Sequence, residues 1–518
     1  SDRLFPKPVA LRAAIRTLHK WKSGMKTLLQ ADVPSDDHYR RLVACQIACP
    51  VHTDARGYVR AIAAGQFEEA YLIARGPNPF ASICGRVCAA PCEAACRRGN
   101  IPRIDDYGAY VANDLPVAIR PLKRFVCELA GPELKSIDTV LDAVKDFSPW
   151  SGADSEEMAA MLRSRTQGRF VPADGQRVAI IGAGPAGLSA AHDLALMGFT
   201  PTVFESEPVA AGMLIPGVPA YRLPREVIAR EVAVIEALGV DIRCGVTVGR
   251  TRSFASLRDE YAAVIIAVGA KTSRALGLPG ERGPRVYGGV DILRVIALGK
   301  ALDLGHHIVV IGGGNVAYDV ARTVMRQITY DTARSVARLP ETAGVHLVSL
   351  ETLEEMPADT IEIIEGEEEG IIRHNGWGPV EIRRNGSGGV EAVVLRRCLR
   401  VYDDHGAFRP AFDDSVLRTI PCDTVLLSVG QQPDLSFLQD GGKDIEMARP
   451  GWPRSDDRQQ TTAPGVFVAG DLAHGTRLLI DAVASGKAAA RSVYAYLTGR
   501  RITMEQTTSH LSLPLYRR

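Results

Sequence analysis

One short pattern occurs twice in this chain and constrains its fold more than any other feature: an apolar strand, a glycine-rich turn and a helix. The two copies are "RVAIIGAGPAGLSAAHDLALMGFTPTVFE" at 177–205 and "HIVVIGGGNVAYDVARTVMR" at 307–326. A buried strand joined to a helix through such a turn is the unit of a parallel sheet covered by helices. The sequence therefore predicts an α/β protein with two Rossmann-like dinucleotide-binding domains.

The first copy has the full G-x-G-x-x-G spacing. The first glycine permits the tight turn, the second lets the backbone approach a pyrophosphate, and the third lets the helix pack on the strand. The helix N-terminus then presents unpaired N–H groups to the phosphates. Glu205 ends the next strand, where it is expected to accept hydrogen bonds from an adenosine ribose. The predicted phosphate-binding residues are Gly182, Gly184, Pro185, Ala186 and Gly187.

The second copy is a G-x-G-x-x-A variant, in which alanine replaces the packing glycine. Its predicted nucleotide-binding residues are Gly312, Gly314, Asn315, Val316 and Ala317. Two copies in one chain indicate two nucleotide sites.

Charge and hydropathy exclude some partners. The chain has 61 Lys and Arg residues against 60 Asp and Glu residues, so no overall field favours nucleic acid or an anionic membrane. Its longest apolar stretches, such as "YAAVIIAVGA" at 261–270, are about half of what a bilayer span needs. The N-terminal stretch lacks the apolar core of a signal peptide. We expect a cytoplasmic protein without a membrane span and without a nucleic-acid partner.

Six of the ten cysteines are clustered: Cys45, Cys49, Cys84, Cys88, Cys92 and Cys96. A disulfide framework normally accompanies a secretory signal and a small domain, so a metal or iron-sulfur site is favoured. On a continuous helix Cys84 and Cys96 would lie about 18 Å apart, too far to bind one cluster, and Pro91 disfavours such a helix. The scattered Cys127, Cys244, Cys398 and Cys422 are expected to be buried thiols.

The pattern changes along the chain in a way that predicts its domains. Residues 8–30 and 53–76 have helical periodicity, and Gly76-Pro77 should end the second helix. The predicted segments are an α-helical cysteine-bearing domain at 1–147, a connector at 148–175, a first dinucleotide-binding domain at 176–295 and 429–500, an inserted second dinucleotide-binding domain at 296–428 and a C-terminal tail at 501–518.

Several stretches occur together in the order of a known family. They are "NPF…CGRVC…PCEAAC", "VAIRPLKRF", "IGAGPAGLSAA", "PGVPAYRLP", "IGGGNVA" and "EGEEEGI". The chain resembles the glutamate synthase small (beta) subunit family of FAD/iron-sulfur NAD(P) oxidoreductases, and also the N-terminal half of dihydropyrimidine dehydrogenase. The resemblance covers nearly the whole chain and implies FAD, a nicotinamide dinucleotide and [4Fe-4S] clusters.

The resemblance assigns FAD to the first site. "VIIAVGA" at 264–270 and "GVFVAGD" at 465–471 look like the strand-turn elements that close such a site, and a later helix would point its N-terminus at the flavin. The further FAD contacts that it implies are Gly212, Met213, Leu214, Gly269, Gly470, Asp471, Ile480, Asp481 and Ala482.

The second site departs from the family at the strand that sets cofactor specificity. Where NADPH-dependent members typically have a Tyr-Arg-Arg-like run before Met-Pro-Ala, this chain has Ser349, Leu350 and Glu351. Arginines would pair with a 2′-phosphate, whereas a carboxylate repels it and accepts from free ribose hydroxyls. We therefore predict NAD(H) as the cofactor, with Glu351 among its contacts.

The cysteines depart from the family as well. The resemblance implies two [4Fe-4S] clusters, but the first two ligands of the N-terminal run would fall at Asp37 and Arg40, and a non-cysteine ligand would fall near Lys123. The favoured assignment is one cluster on Cys49, Cys88 and Cys92, with Cys84, Cys45 or Cys96 as the fourth ligand. A second cluster would need Cys45, Cys96 and non-cysteine groups or a partner protein. A structural zinc site remains open.

These observations predict a flavoprotein electron-transfer subunit. NADH would give hydride to FAD, and single electrons would leave through a [4Fe-4S] cluster to a larger catalytic redox subunit, or the electrons would flow in the reverse direction. The motifs provide no catalytic side chain. The alternatives are a glutamate synthase small subunit proper and a non-catalytic scaffold with vestigial nucleotide sites. A self-contained disulfide reductase is disfavoured because no C-x4-C follows the first glycine motif.

Overall fold

The computed structural model describes residues 43–145, 173, 175–300, 302–334 and 344–499. The predicted helix at 8–30, the positions Asp37 and Arg40, most of the connector and the C-terminal tail lie outside these ranges. Within them, each helix is either too short or too polar to span a membrane.

The described α-helices alternate with strands through most of the chain. In chain order they are α1 (Ala44–Ile47), α2 (Ala55–Ala63), α3 (Phe67–Arg75), α4 (Ala81–Val87), α5 (Pro91–Ala94), α6 (Ile119–Ala130), α7 (Ile137–Lys145), α8 (Pro185–Leu196), α9 (Arg225–Ala237), α10 (Phe254–Glu260), α11 (Gly289–Ala297), α12 (Asn315–Arg334), α13 (Thr360–Glu368), α14 (Asp471–His474) and α15 (Leu479–Thr498). Short 3₁₀ turns are formed by Arg97–Asn100, Gly212–Leu214 and Ser436–Gln439.

The strands form two parallel sheets and several smaller antiparallel ones. In chain order they are β1 (Pro102–Ile104), β2 (Tyr110–Asn113), β3 (Arg177–Ile181), β4 (Thr200–Phe204), β5 (Asp241–Arg243), β6 (Ala263–Ile266), β7 (Thr272–Ser273), β8 (Val286–Gly288), β9 (His307–Ile311), β10 (Gly344–Ser349), β11 (Ile372–Asn375), β12 (Trp377–Arg384), β13 (Val390–Tyr402), β14 (Phe408–Pro421), β15 (Thr424–Leu427), β16 (Gln431–Gln432), β17 (Met447–Arg449), β18 (Trp452–Pro453) and β19 (Val466–Val468).

The first parallel sheet has the order β19-β6-β3-β4-β5. Its central strands are apolar along almost their whole length because helices cover both faces. The first predicted strand-turn-helix unit is β3 and α8. The strand β19 returns to this sheet from the far end of the sequence, so the predicted insertion of a second unit between two parts of the first is consistent with the strand order.

The second parallel sheet has the order β11-β10-β9-β15-β8. It is built on the second predicted unit, β9 and α12, and an antiparallel sheet of β12, β13 and β14 precedes β15 in the sequence. The strand β8 pairs with β15 here, although the sequence prediction assigned residues 176–295 to the FAD domain. The domain boundaries themselves stay predictions.

The cysteine-bearing region is helical, with two departures from the prediction. The predicted helix at 53–76 is two helices, α2 and α3, because Gly65 between them has a φ of 74°. The second helix ends at Arg75, just before Gly76-Pro77 as expected. The segment at 102–113, predicted to be part of a helical region, is an antiparallel hairpin of β1 and β2 whose residues are all exposed.

The cysteine region shares an apolar core with the first parallel sheet. Cys49, Phe80 and Ile83 pack in one cluster with Val178 of β3 and Leu188 of α8. A second apolar cluster, which includes Tyr58, Tyr71 and Val126, lies almost entirely within the cysteine region.

A buried polar chain crosses the same junction. Arg75 Nη1 lies 3.3 Å from Nε2 of His192, whose Nδ1 lies 2.9 Å from Asp193, and Lys487 Nζ donates to Asp193 at 2.9 Å. Burial lowers the pKa of His192 to about 4, so its neutral ring accepts from Arg75 and donates to Asp193. This row of hydrogen-bonded side chains connects α3 to α8 and α15.

Candidate dinucleotide and iron-sulfur sites

The first glycine-rich turn has the spatial restrictions that its spacing predicts. A Cβ at Gly182 would lie 2.4 Å from the carbonyl oxygen of Ala267, and a Cβ at Gly187 would lie 2.0 Å from that of Gly182. By contrast, a Cβ at Gly184 would meet no atom closer than 3.9 Å. The first and third glycines are therefore required for packing, while the second leaves open space at the N-terminus of α8, which fits the approach of a pyrophosphate.

Glu205 follows β4 at the carboxyl edge of the sheet, as predicted, but its carboxylate is already bonded. It accepts from the backbone N–H groups of Ala183 at 2.8 Å and Glu207 at 2.9 Å, and from Lys271 Nζ at 3.0 Å. Burial alone would raise the pKa of Glu205, yet Lys271 and the N–H donors hold it below its ordinary value. Glu205 is thus a charged acceptor fixed against the first turn.

The predicted flavin-lining residues lie against the same turn. The N–H of Ala211 donates to the carbonyl of Ala183 at 2.8 Å, and a Cβ at Gly212 would lie 2.6 Å from Cα of Gly184. Ala211 has a φ of 90°, a left-handed conformation that a non-glycine residue rarely adopts. The structure therefore brings the 3₁₀ turn of Gly212, Met213 and Leu214 to the predicted phosphate site.

The two later predicted FAD elements also reach this edge of the sheet. Gly470 follows β19, and a Cβ there would lie 2.9 Å from that of Ala186. The helix α15 begins at Leu479, as predicted, and crosses α8 so closely that a Cβ at Gly486 would lie 2.0 Å from the carbonyl of Ala186. Glu205, Gly212 and Gly470 thus lie close to the first glycine-rich turn and the start of α8. Five further FAD contacts were predicted. Asp471 is the first residue of α14, and a Cβ at Gly269 would have no atom within 4 Å. Ile480, Asp481 and Ala482 lie in the first turn of α15.

The second glycine-rich turn repeats the arrangement of the first. A Cβ at Gly312 would lie 2.5 Å from the carbonyl oxygen of Ser428, whereas one at Gly314 would have no atom within 4 Å. Asn315 and Val316 open α12, and Ala317 is fully buried beneath the turn. Asn315 donates to Asp359 at 3.2 Å and accepts from the N–H of Asp359 at 2.7 Å, which fixes the start of α12 against α13. The second site also fits a dinucleotide.

Glu351 lies beside this second turn. Its carboxylate oxygen would be 2.6 Å from a Cβ at Gly313. Its backbone carbonyl accepts from Ser349 Oγ at 3.1 Å and from the N–H of Gly376 at 3.1 Å. These bonds hold the acidic residue after β10, where the ribose contact of a dinucleotide is expected.

The four-residue cysteine ladder is broken, as Pro91 predicts. The helix α4 ends at Val87, Cys88 is extended, and Ala90 has a φ of 52° before α5 begins. The chain therefore turns between the second and third cysteines of the ladder. Cys84 lies within a helix of the buried core, while Cys88 and Cys92 lie on opposite sides of a turn.

Cys49, Cys84 and Cys88 belong to one apolar cluster, and the side chain of Lys123 is buried. Burial acts to lower the pKa of Lys123, but the thiols of Cys49, Cys84, Cys88 and Cys92 raise it, and the net shift is upward. A hydrogen bond from Cys84 lowers the pKa of the Cys88 thiol, and the N–H of Ala90 lies 3.4 Å from Cys88 Sγ. Soft sulfur donors that accept N–H bonds and lie beside a cation fit a [4Fe-4S] cluster.

Cys45 and Cys96 are both partly buried. Burial raises the pKa of Cys45, and the negative charges of Asp54 and Cys96 raise it further. The N–H of Val117 donates to Cys96 Sγ at 3.5 Å. Among the described residues, no three His, Cys, Asp or Glu side chains are grouped closely enough to hold a single metal ion.

All ten cysteines are free, and three of the four scattered ones are buried as expected. Cys244 is the exception. It is exposed because it directly follows β5, the edge strand of the first sheet.

Two family models match the chain. Residues 176–486 match the pyridine nucleotide-disulphide oxidoreductase family, and residues 41–133 match the dihydropyrimidine dehydrogenase domain II, 4Fe-4S cluster. The chain belongs to the pyridine nucleotide-disulphide oxidoreductase family. Membership implies FAD and a pyridine nucleotide, and the second match implies a [4Fe-4S] cluster, so the cofactors expected from the sequence are confirmed at this level. Whether the nucleotide is NAD or NADP is not decided by the match.

Relatives of this oxidoreductase include subunits of several enzymes. The NADP(+)-dependent formate dehydrogenase subunit beta of Moorella thermoacetica is 38% identical over 88% of this chain and 60% of the relative. The NAD-dependent dihydropyrimidine dehydrogenase subunit PreT of Escherichia coli K12 is 29% identical over 94% of this chain and 97% of the relative. The glutamate synthase [NADPH] small chain of Azospirillum brasilense is 27% identical over 87% of this chain and 86% of the relative. The resemblance inferred from the motifs is thereby confirmed, and the chain spans three fifths of the length of the first of these relatives.

A solved structure shows the same fold. FprA of Mycobacterium tuberculosis in complex with NADPH has a TM-score of 0.55 at 21% identity, covering 64% of this chain and 85% of FprA. The predicted α/β class with two Rossmann-like units after a helical iron-sulfur region is confirmed.

Sequence reasoning missed two basic residues of the first site. Lys271, which pairs with Glu205, directly follows the apolar stretch ending at Ala270, and a basic residue at the carboxyl edge of a strand was the available signal. Arg225 donates to the carbonyls of Val218 at 2.9 Å and Leu214 at 3.3 Å and so anchors the flavin-lining segment. No spacing rule indicates that role.

Proposed function

We propose that this chain is an NADH-oxidising electron-transfer subunit that supplies a larger catalytic redox protein. The observation that carries the proposal is the presence, in one compact unit, of two dinucleotide turns with open second glycines and of the cluster that contains Cys49, Cys84 and Cys88. FAD would accept a hydride from the nicotinamide and pass electrons singly, and a [4Fe-4S] cluster would carry them onward.

The chain's own residues bind and orient these groups. The N-termini of α8 and α12 face the two phosphate positions, Glu205 and Glu351 supply acceptors for ribose hydroxyls, and the segment anchored by Arg225 covers the first turn. Cys49, Cys84, Cys88 and Cys92 are the proposed cluster ligands, with Lys123 as the neighbouring positive charge. The proposed contribution of these residues to the rate is the positioning of the bound groups.

NADH is proposed over NADPH because Glu351 lies where a 2′-phosphate would bind. The named relatives include both NAD-dependent and NADP-dependent proteins, so the choice rests on this residue.

The partner is proposed to be a larger catalytic subunit in a hetero-oligomer, since several relatives are named as subunits. The hairpin of β1 and β2 supports an association on the cysteine side of the chain. Tyr107 is 95% exposed and Ile104 67% exposed, eleven and eight residues after Cys96. Exposed apolar side chains grouped in this way mark interaction surfaces. A cytoplasmic location is proposed with it, because free clustered thiols belong to a reducing compartment.

Anaerobic mixing of the purified holoprotein with NADH tests the proposal. Bleaching of the flavin absorbance and NADH-dependent reduction of a soluble dye are expected. If the protein retains FAD but neither NADH nor NADPH causes flavin bleaching or dye reduction, the scaffold alternative is correct instead. The glutamate synthase alternative predicts glutamine-dependent oxidation of the nucleotide after addition of a glutamate synthase large subunit, and a negative result there leaves the general electron-transfer proposal standing.

A further inference from the structure

Arg222 joins the two dinucleotide-binding units through buried ion pairs. It follows the predicted flavin-lining residues in the sequence, but its guanidinium reaches the second unit. Nη1 donates to Asp319 of α12 at 2.5 Å, and Nη2 lies 2.6 Å from Glu362 of α13. Asp319 is 5% exposed and Glu362 3% exposed, so water screens these pairs little.

The receiving carboxylates belong to a larger buried network. The second oxygen of Glu362 accepts from Arg322 at 2.8 Å, and Arg322 also pairs with Glu365 at 2.7 Å and Glu369 at 2.8 Å. The "EGEEEG" stretch thus surrounds a cation supplied by α12. Arg222 is the cation that the first unit contributes to this network. If Arg222 were removed, the buried carboxylate of Asp319 would lose its direct ion-pair partner.

Both ends of this connection are fixed close to a predicted cofactor position. On one side, Arg225 ties the segment to the carbonyl of Leu214, a predicted flavin contact. On the other side, Asp319 lies one helical turn after Asn315, which opens α12 at the second glycine-rich turn. A displacement of the Arg222 side chain would therefore change the geometry of both predicted cofactor sites.

Tyr221, the residue before Arg222, also contacts the second unit beside a cavity. A cavity of about 470 Å³ is lined by Val218 and Tyr221 on one side and by Ile296 of α11 and Arg326 of α12 on the other. The guanidinium of Arg326 lies 3.9 Å from the ring centre of Tyr221. The contacts of Tyr221 and Arg222 therefore join the segment to α12 beside this cavity.

We propose that Arg222 is a positioning residue for hydride transfer, holding α12 and its nucleotide turn at a fixed orientation to the flavin-lining segment. The inference rests on the proposed function. In that reaction a C–H bond of the dihydronicotinamide breaks and its electron pair moves with the hydrogen to oxidised flavin, so that the nucleotide is oxidised and the flavin reduced. Arg222 makes and breaks no bond in this step and acts only on the geometry.

Stopped-flow flavin bleaching by NADH in the holoprotein tests this role. Arg222→Gln is expected to lower the limiting rate constant by about tenfold or more, because a small displacement of reacting groups has large effects on rate. The dissociation constant of NADH should change less than about threefold, since the glycine-rich turn is intact. Arg222→Lys, which keeps the charge but not the two-pronged geometry, should recover part of the rate. The isotope effect with NADH deuterated at C4 should rise as hydride transfer becomes slower than other steps.

Arg294→Gln is the matched control. Arg294 makes an exposed bidentate pair with Glu207 at 2.9 Å and so also links the second unit to the first. It should leave the limiting rate constant unchanged. An equal loss in this control, an unchanged rate in Arg222→Gln, or a loss confined to NADH affinity would overturn the proposal. If Arg222→Gln does not retain FAD, Asp319→Asn takes its place, and its limiting rate constant is compared with that of Arg294→Gln in the same way. Absence of bleaching in the wild-type protein would refute the proposed function instead.

Discussion

The carboxylate of Glu351 lies directly over Gly313, the middle residue of the second glycine-rich turn. A Cβ at Gly313 would be 2.6 Å from Glu351 Oε2, so the acid occupies the space beside the turn where a dinucleotide ribose is expected. Asn375 Nδ2 lies 3.3 Å from the Glu351 carbonyl and helps to fix that backbone. A phosphate on the ribose would meet this negative charge at close range.

Replacing Glu351 should change the choice of nucleotide. Glu351→Gln is expected to raise kcat/KM for NADPH by about tenfold, because a repulsion worth about 1.4 kcal/mol is removed, with a smaller decrease for NADH. Steady-state dye reduction with both nucleotides measures the ratio. Glu354→Gln, an exposed carboxylate nearby, is the control and should change neither value. Equal use of both nucleotides by the wild-type protein would contradict the assignment of NADH.

Removing Lys271 should destabilise the protein and weaken FAD binding. Glu205 is 1% exposed and depends on Lys271 for its cationic partner, so Lys271→Met is expected to cost about 1–3 kcal/mol of unfolding free energy. Thermal unfolding and FAD content report the loss. The double variant Lys271→Met with Glu205→Gln should unfold at a higher temperature than Lys271→Met alone, because no unpaired charge remains. A double variant no more stable than the single one would contradict this account of Glu205.

The cysteines should divide into two groups by their effect on iron content. Cys84→Ala, Cys88→Ala and Cys92→Ala should each lose the cluster or convert it to a three-iron form, whereas Cys96→Ala should retain four irons. Iron and sulfide analysis with electron paramagnetic resonance of anaerobically purified protein distinguishes the outcomes. Eight irons in the wild-type protein would show that Cys45 and Cys96 hold a second cluster. Full retention of iron in Cys84→Ala would remove it from the ligand set.

Glu231 should make stability depend on pH. Burial raises the pKa of Glu231 from 4.5 to about 7, and its Oε1 accepts from the N–H of Ser82 at 2.7 Å. Because the folded state holds this proton more tightly than the unfolded state, stability falls as pH rises from about 4.5 and levels off above about 7. Glu231→Gln keeps the hydrogen bond without the charge, so its melting temperature should gain on that of the wild-type protein between pH 5 and pH 8. A constant difference across that range would contradict the shift.

The two dinucleotide units could be predicted from sequence because each is local. The turn, strand and helix of Gly182 or Gly312 lie within a few tens of residues, and the spacing of the glycines is itself the steric requirement. The break in the cysteine ladder at Pro91 was predictable for the same reason.

The partners of these residues could not be predicted in this way because they are distant in sequence. Lys271 reaches Glu205 and Arg222 reaches Asp319 only after the sheets have formed, and no periodicity links the members of either pair. The hairpin of β1 and β2 was missed because it follows a helical cysteine segment and carries no strong turn dipeptide. Gly65 was missed because a single glycine does not always end a helix.

The core that the thiol-bearing helices share with the first sheet limits how this protein can be divided. Cys49 and Ile83 pack in one cluster with Leu188, and Arg75 is buried against His192. A fragment that ended near residue 147 would therefore expose apolar surface and leave the guanidinium of Arg75 without His192. The cysteine segment is therefore not expected to fold as an independent domain. A gene fusion that includes these cysteines would also need the first parallel sheet, so the two redox centres would be transferred between proteins together.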